Sequence, residues 1–244
     1  MSAFLRDAFA EQAAALRAAA VHAGPGVPVP TCEGWDVGKL VRHVARVYSM
    51  VDLSLDLEPD AERPAPAPVS EDFDEALAAF DRNLAVVAEK LSTMDPDRRV
   101  WSFFPGGTPV SWTRRMAHET AIHRLDAEHA TGEHVRELLF DPRLAADGID
   151  EMLALLLPLS DWSGSQHEGR VLYHAADAGR AWLVTYRPGK PPEVSAPHDA
   201  ALGEYEVDAT VAGTADAVYR KAWGRPSNAV VTGDPALAGI AAGR

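Results

Sequence analysis

The sequence predicts an α+β chain of two domains, a four-helix bundle over residues 1–140 followed by a small α+β domain over residues 141–244. Before residue 140, four segments repeat apolar residues every three or four positions, the spacing that gives a helix one apolar face. Beyond it, short runs such as RVLYHA and AWLVTYRP have the character of strands. A chain of 244 residues with 47% hydrophobic content can bury a substantial core.

The composition excludes several classes of partner and location. The formal net charge is −13, from 36 acidic and 23 basic residues, and it opposes binding to nucleic acid or to an anionic membrane surface. Cys32 is the one cysteine, so the chain has no intrachain disulfide and no cysteine-built metal cluster. The N-terminal segment lacks the pattern of a secretory signal, and no segment approaches the ~20 apolar residues of a membrane span. We therefore expect a cytoplasmic protein.

The first two helices are predicted from their apolar stripes. An amphipathic helix is expected over roughly the first two dozen residues, and the segment HAGPGVPVP ends it. Asp36 is the predicted N-cap of the second helix. The stripes consist of Leu5, Phe9, Ala13 and Leu16 in the first helix and of Leu40, Val44, Val47 and Val51 in the second.

A proline-rich connector, EPDAERPAPAPVS, separates the second helix from the third. The third helix is predicted from apolar residues in alternating steps of four and three, which is typical of bundle packing. The loop WSFFPGGTPVS then leads to a fourth helix, expected from about Trp112 to Thr131 and ended by Gly132. The stripe of the third helix consists of Phe73, Leu77, Phe80, Leu84, Val87 and Leu91.

The second domain is predicted from shorter elements. A helix is expected over IDEMLALLLPLS, followed by strands over RVLYHA and AWLVTYRP around a turn at residues 177–179. A third strand is expected over EYEVDATVAG, which begins at Glu204. The segments TADAVYRKAWG, NAVVTGD and PALAGIAAG predict a helix, a short strand and a closing helix, which completes a small α+β unit.

Three residues are candidates for holding a metal ion. His43 lies three residues after Leu40 and four before Val47, which places its imidazole on the inner stripe of the second helix. Glu119 and His123 lie one turn apart on the inner face of the fourth helix. A buried ionised glutamate is unfavourable unless it is paired or binds a metal. We therefore predict one divalent ion, zinc, held by His43, Glu119 and His123, with the fourth position open as in catalytic sites.

Other interpretations of these residues stay open at this point. An inward histidine such as His43 is often a hydrogen-bonded core residue, and Glu119 with His123 could form a buried ion pair without a metal. The HExxH protease motif is excluded because His118 and His123 are five residues apart and point to different faces. Asp126, one turn beyond His123, either orients that imidazole or is a surface acid; we favour the first.

At these positions the sequence resembles the mycothiol-dependent maleylpyruvate isomerase family of actinobacteria, within the DinB-like metalloenzyme superfamily. GWDVGKLVRHVARV is similar to the family's second-helix motif with its metal-binding histidine, here His43. RRMAHETAIHRLDAEHATG is similar to its fourth-helix motif, in which Glu119 and His123 complete the zinc site and Asp126 follows. VAGTADAVYRKAWGRPSNAVVTGDPAL resembles the family's sterol-carrier-protein-like second domain, with WGR at residues 223–225. The resemblance covers nearly the whole chain.

The resemblance implies that mycothiol binds the metal as the fourth ligand and attacks an electrophile as a thiolate. A maleylpyruvate-like substrate would then undergo cis–trans isomerisation, and an alkyl halide or epoxide would undergo thiol S-transfer. Arg225 of the WGR is the candidate cation for binding the thiol or an anionic substrate, although an arginine there could instead meet its own helix end. Arg115, beside the inner face of the fourth helix, is the alternative. Cys32 is interpreted as a small loop residue and not as a nucleophile.

A non-catalytic module is the competing class of function. The same fold could keep its metal and serve as a metal-binding or regulatory protein, and acceptance of a low-molecular-weight thiol at the metal would distinguish the two. The expected partners are a small-molecule thiol and an electrophilic substrate, with no nucleic acid and no membrane. The sequence leaves open the physiological substrate, the metal used in the cell and whether the chain forms a homo-oligomer.

Overall fold

The computed structural model of the chain describes residues 2–197 and 205–243. The chain divides into two compact units, Met1–Val135 and Arg136–Arg244, whereas the predicted domain boundary lay near residue 140. In the described residues the first unit is helical and the second contains a five-stranded sheet with helices, so the predicted α+β class is confirmed. None of the described helices is both long enough and apolar enough to cross a membrane.

The first unit contains the four predicted helices. They are α1 (Ser2–Ala23), α2 (Val37–Asp56), α3 (Phe73–Thr93) and α4 (Pro109–Ala130). α1 packs chiefly on α4 and α2 chiefly on α3, while α2 also contacts α4. Their inward stripes form the core of this unit, and α4 is buried along most of its length. Such packing brings side chains of different helices together in the interior.

The start of α4 differs from the prediction, and its capping explains the difference. The helix begins at Pro109 instead of Trp112. Thr108 accepts a hydrogen bond from the backbone N–H of Ser111, whose side chain accepts one from the N–H of Thr108, so the two close a capping box. A proline is well tolerated in the first turn because its missing N–H has no helical partner there. Asp36 caps α2, as predicted.

A buried hydrogen bond joins the middles of α2 and α4. The hydroxyls of Tyr48 and Thr120 lie 2.8 Å apart, and both residues are fully buried. The ring of Phe9 from α1 packs edge-on against Tyr48 at 5.4 Å between centroids. Since Thr120 directly follows Glu119, this contact fixes the part of α4 that carries the candidate ligands against α2.

In the second unit, α5 (Pro142–Asp150) continues through a π-helical turn over Glu151–Leu156 and a 3-10 turn over Leu157–Leu159. The predicted helix, residues 149–160, therefore began too late. Asp141 caps α5 by accepting a hydrogen bond from the N–H of Arg143, and Pro142 occupies the first turn. These two residues start the helix well before the apolar run that the prediction used.

The sheet of the second unit has the order β3-β2-β1-β4-β5. Its strands are β1 (Gly169–Ala175), β2 (Arg180–Arg187), β3 (Lys190–Ser195), β4 (Ala209–Gly213) and β5 (Val230–Gly233). β1 is parallel to β4, and the other neighbouring pairs are antiparallel. The predicted hairpin of β1 and β2 is confirmed.

Two strand predictions were incomplete. β3 was missed because its sequence, KPPEVS, contains two prolines, which an edge strand tolerates since one side of it has no ladder to complete. The predicted third strand was too long: β4 begins at Ala209, residues 205–208 are not strand, and Glu204 lies outside the described residues. Helices α6 (Ala215–Ala222) and α7 (Pro235–Gly239) lie where helices were predicted.

Candidate metal centre

The packing of α2 against α4 brings His43, Glu119 and His123 together. Nε2 of His43 lies 3.1 Å from Oε1 of Glu119, and Nε2 of His123 lies 3.3 Å from the same oxygen. The two imidazole rings are 4.8 Å apart between centroids and nearly perpendicular. One ligand atom from each of the three residues lies within 4.8 Å of the others. These three side chains thus converge on a single point in the bundle.

The separations are compatible with zinc. Ligand atoms at about 2.0–2.2 Å from a tetrahedral zinc ion lie roughly 3.2–3.6 Å from one another. The Nε2–Oε1 distances of 3.1 and 3.3 Å nearly match that edge length. Hydrogen bonds have similar lengths, so a buried Glu–His network without a metal would give the same distances. Two imidazoles and one carboxylate are a ligand set found in catalytic zinc sites.

Asp126 fixes the orientation of the His123 ring. It is fully buried, which rules out the surface-acid interpretation, and its Oδ2 lies 2.9 Å from Nδ1 of His123. A carboxylate at Nδ1 holds a proton on that nitrogen, so in the neutral imidazole the lone pair is on Nε2, the nitrogen that faces Glu119. A metal-binding histidine needs this arrangement. Nδ1, the other ring nitrogen, is occupied by its hydrogen bond to Asp126.

The loop between α1 and α2 contributes two contacts that the sequence analysis did not find. The hydroxyl of Thr31 donates to Oδ1 of Asp126 at 2.5 Å, and the thiol of Cys32 donates to Oδ2 at 3.4 Å. Cys32 therefore lies at the site, although it was interpreted only as a small loop residue. Cys32, His123 and Asp126 also form a second group of potential ligands. We prefer the set with His43 and Glu119 because two imidazoles and one carboxylate are a ligand set of catalytic zinc sites.

Arg115 lies one turn before Glu119 on α4 and pairs with it. A guanidinium nitrogen of Arg115 donates to Oε2 of Glu119, while Oε1 faces the two imidazoles. Arg115 is almost completely buried. The structure thus places this candidate binding residue against a proposed ligand; its predicted role toward the thiol or substrate stays a prediction. A carboxylate held in this way presents one oxygen to a metal.

The charges of the cluster shift two pKa values. Burial alone would raise the pKa of Glu119, but attraction to Arg115 and His123 outweighs it and holds this pKa well below its usual value. Burial would likewise lower the pKa of His123, but attraction to Glu119 and the hydrogen bond to Asp126 raise it to about 9. Without a metal, the cluster therefore contains an ionised glutamate and a protonated His123 at neutral pH.

The cluster opens to solvent on the side of His43. Its side chain is 35% exposed, against 15% for Glu119 and 10% for His123. Trp35 covers another side, with its ring 4.9 Å from the ring of His43 and 6.1 Å from that of His123 between centroids. Trp35 belongs to the second-helix motif, but nothing in its spacing predicted that it contacts both imidazoles.

A cavity of about 440 Å³ adjoins the exposed side of His43. One wall is α2 and the other is the proline-rich connector. Its lining consists of His43, Arg46, Val47, Met50, Arg63, Pro64, Ala65 and Pro66. The volume is in the range of small-molecule sites.

Arg225 belongs to the second unit. Its guanidinium donates to the carbonyl of Trp223 at 2.8 Å, and the indole N–H of Trp223 donates to the carbonyl of Gly148 at 3.1 Å. These bonds stabilise the end of α6. The local contact is the one expected of an arginine after a helix, and the predicted role of Arg225 in binding stays a prediction.

The chain was compared with known proteins. Residues 5–128 match the family described as mycothiol maleylpyruvate isomerase N-terminal domain. Among solved structures, the chain is similar to crystal structures of the mycothiol-dependent maleylpyruvate isomerase and of a histidine-to-alanine mutant of that enzyme. The TM-scores are 0.65 and 0.66, with 12% identity and coverage of 96% of this chain and 94% of theirs. No match was found among curated proteins.

Proposed function

Because the chain belongs to the mycothiol maleylpyruvate isomerase N-terminal domain family, we propose that it is a zinc enzyme that activates mycothiol for attack on an electrophile. The convergence of His43, Glu119 and His123 carries this proposal. The Asp126 contact, which leaves Nε2 of His123 available, supports it. His43, Glu119 and His123 would hold the ion, and mycothiol would be the second cofactor.

When bound, the zinc ion would lower the pKa of a coordinated thiol so that a thiolate forms near neutral pH. The residues around it set the conditions for this chemistry. Glu119 supplies one anionic oxygen, since its other oxygen pairs with Arg115. Arg115 adds a buried positive charge next to the cluster, and a positive surrounding favours the anionic form of an approaching thiol.

The proposed reaction begins with attack of the thiolate on an electrophilic carbon. On a maleylpyruvate-like substrate, the sulfur would add to the activated double bond, the former double bond would rotate, and elimination would return the thiol unchanged. An alkyl halide would lose its halide, and an epoxide ring would open. In both cases the new carbon–sulfur bond would remain. The isomerisation has more support because of the family and the fold of the neighbours.

Binding of the thiol to the metal tests this function directly. In the cobalt-substituted protein, mycothiol is expected to produce a sulfur-to-cobalt absorption band, and its apparent thiol pKa should fall below the ordinary value of about 8.5. The His123→Ala variant is the control that lacks the metal site. An S-methylated mycothiol is the control that lacks a free thiol. Chelation should abolish the isomerisation of maleylpyruvate, which should also require mycothiol. If no cellular thiol alters the cobalt spectrum, a non-catalytic metal-binding or regulatory module becomes the better description.

The raised pKa of His123 leads to a pH dependence of zinc binding. This pKa rises on folding from the ordinary ~6.5 to about 9, so the protonated form stabilises the metal-free fold below pH ~6.5 and this contribution disappears as the pH passes 9. Zinc binding requires the neutral imidazole and releases this proton. The apparent zinc affinity should therefore rise about tenfold per pH unit from roughly pH 7 to pH 9.

Competition with a chelator at several pH values measures this slope. The His22→Ala variant is a suitable control because His22 is exposed and lies outside the cluster. It should show the same slope as the wild-type protein. A zinc affinity that does not change over this pH range would contradict the assignment of His123 as a ligand.

A further inference from the structure

The cavity beside His43 has the character of a binding site for an organic anion. We propose that it binds the carboxylate of the electrophilic substrate through Arg46 and Arg63. This inference rests on the proposed function and adds the two residues that bind the carboxylate of the substrate. The cavity brings two arginines to the side of His43 on which the candidate metal centre opens to solvent.

Four of the lining residues lie along one face of α2. His43, Arg46, Val47 and Met50 stand at positions i, i+3, i+4 and i+7, so they form one stripe along the helix surface. Arg46 follows His43 by three residues, which corresponds to about 4.5 Å along the helix axis. An anion held by Arg46 is therefore close to the exposed edge of His43. Its reactive part would lie beside a proposed metal ligand.

The wall opposite α2 belongs to the proline-rich connector. Residues 63–66 of the connector, Arg-Pro-Ala-Pro, line the cavity across from α2. Two prolines in four residues restrict the backbone, because each fixes its own φ and disfavours helix at the residue before it. The connector thus forms a stiff wall, and Arg63 contributes a second guanidinium. Two such groups suit a planar carboxylate, which guanidinium binds with paired hydrogen bonds.

Both arginines of the cavity carry a positive charge in a strongly acidic protein. The protein has a net charge of −13, and some other arginines with exposed side chains pair with acids, as Arg17 does with Asp81 at 2.7 Å and Arg187 does with Glu193 at 2.5 Å. Within residues 2–197 and 205–243, Arg46 and Arg63 make no ion pair. None of the residues that line the cavity is acidic. The two positive charges are therefore available to a ligand.

The remaining wall of the cavity would contact the rest of the ligand. Val47, Met50, Pro64, Ala65 and Pro66 make most of the wall apolar. A small inorganic anion would leave these surfaces without a partner, whereas the carbon skeleton of an organic acid would cover them. The cavity therefore fits an organic carboxylic acid better than it fits phosphate.

Binding of an unreactive acid tests the site without requiring activity. Succinate is the probe, because it has carboxylates and no electrophilic carbon, and succinamide is its neutral control. Calorimetric titration of the purified protein should show saturable binding of succinate and none of succinamide. Arg46→Gln and Arg63→Gln should each weaken succinate binding about tenfold, and the double variant should abolish it. His123→Ala, which lacks a proposed ligand, should still bind succinate and so exclude simple binding to zinc.

Arg82→Gln is the matched control for loss of one positive charge. Arg82 is an exposed arginine of α3 that does not line this cavity, and its replacement should leave succinate affinity unchanged. Equal weakening by Arg82→Gln, or no saturable binding to the wild-type protein, would overturn the inference. A cobalt protein that accepts mycothiol but not succinate would refute this inference alone. A protein that binds succinate through Arg46 and Arg63 but no thiol would refute the proposed function and leave the anion site standing.

Discussion

Replacement of His123 by alanine is expected to reduce bound zinc from about one ion per chain to background, and His43→Ala should do the same. A three-ligand site that loses one imidazole keeps too few donors to hold the ion against water and other chelators. His123→Ala also removes the imidazole that Asp126 orients at 2.9 Å. Elemental analysis of the purified variants measures the loss, and the proposed isomerase activity should disappear with the metal.

His22→Ala is the control for this experiment, because His22 is exposed and outside the cluster. It should keep full zinc occupancy. Far-UV circular dichroism should show that both cluster variants retain their helices, so that loss of zinc reflects the site and not unfolding. Full occupancy in both His43→Ala and His123→Ala would reject the metal assignment. The cluster would then be a buried Glu–His network.

Helical periodicity was sufficient to predict which three side chains meet. His43 was placed on the apolar stripe of α2 and Glu119 with His123 on the inner face of α4, and the structure brings the three within 4.8 Å. In a bundle, side chains at inward positions of neighbouring helices meet because they fill the same narrow core. Asp126 was found in the same way, since it lies one turn beyond His123 on the same face.

The contacts made by loops and long side chains could not be predicted in this way. Thr31 and Cys32 meet Asp126 across about 95 positions of sequence, and a loop has no period from which its direction could be inferred. Arg115 was recognised only as a cation near the inner face. Whether its long side chain reaches Glu119 or the solvent depends on rotamers and on the packing around it, which periodicity does not describe.

The same distinction applies to the second unit. Strands β1 and β2 are buried runs around a turn with a glycine at φ 59°, and this pattern was recognisable. β3 has prolines and little apolar character, and it exists as a strand because β2 offers it an edge. Its pairing is a property of the sheet and not of its own sequence.

Glu119→Gln is expected to remove zinc and to destabilise the first unit by about 3 kcal/mol. The neutral amide takes away the carboxylate partner of Arg115, whose side chain is only 6% exposed, and it also takes away the anion beside His123. Breaking a buried ion pair from one side is costly because the remaining charge stays in a poorly solvated place. Urea unfolding followed by circular dichroism measures the stability, and elemental analysis measures the zinc.

A second substitution separates the two roles of Glu119. Arg115→Met in the Glu119→Gln background removes the buried cation and should restore most of the lost stability, since apolar replacement of both partners of a buried pair is often neutral. It should not restore zinc, because the anionic ligand is still missing. Arg115→Met alone should keep the zinc and hold it at least as tightly, because it removes a positive charge beside the ion and leaves Glu119 ionised. If the double variant binds zinc like the wild-type protein, Glu119 is a structural partner of Arg115 and the metal lies elsewhere.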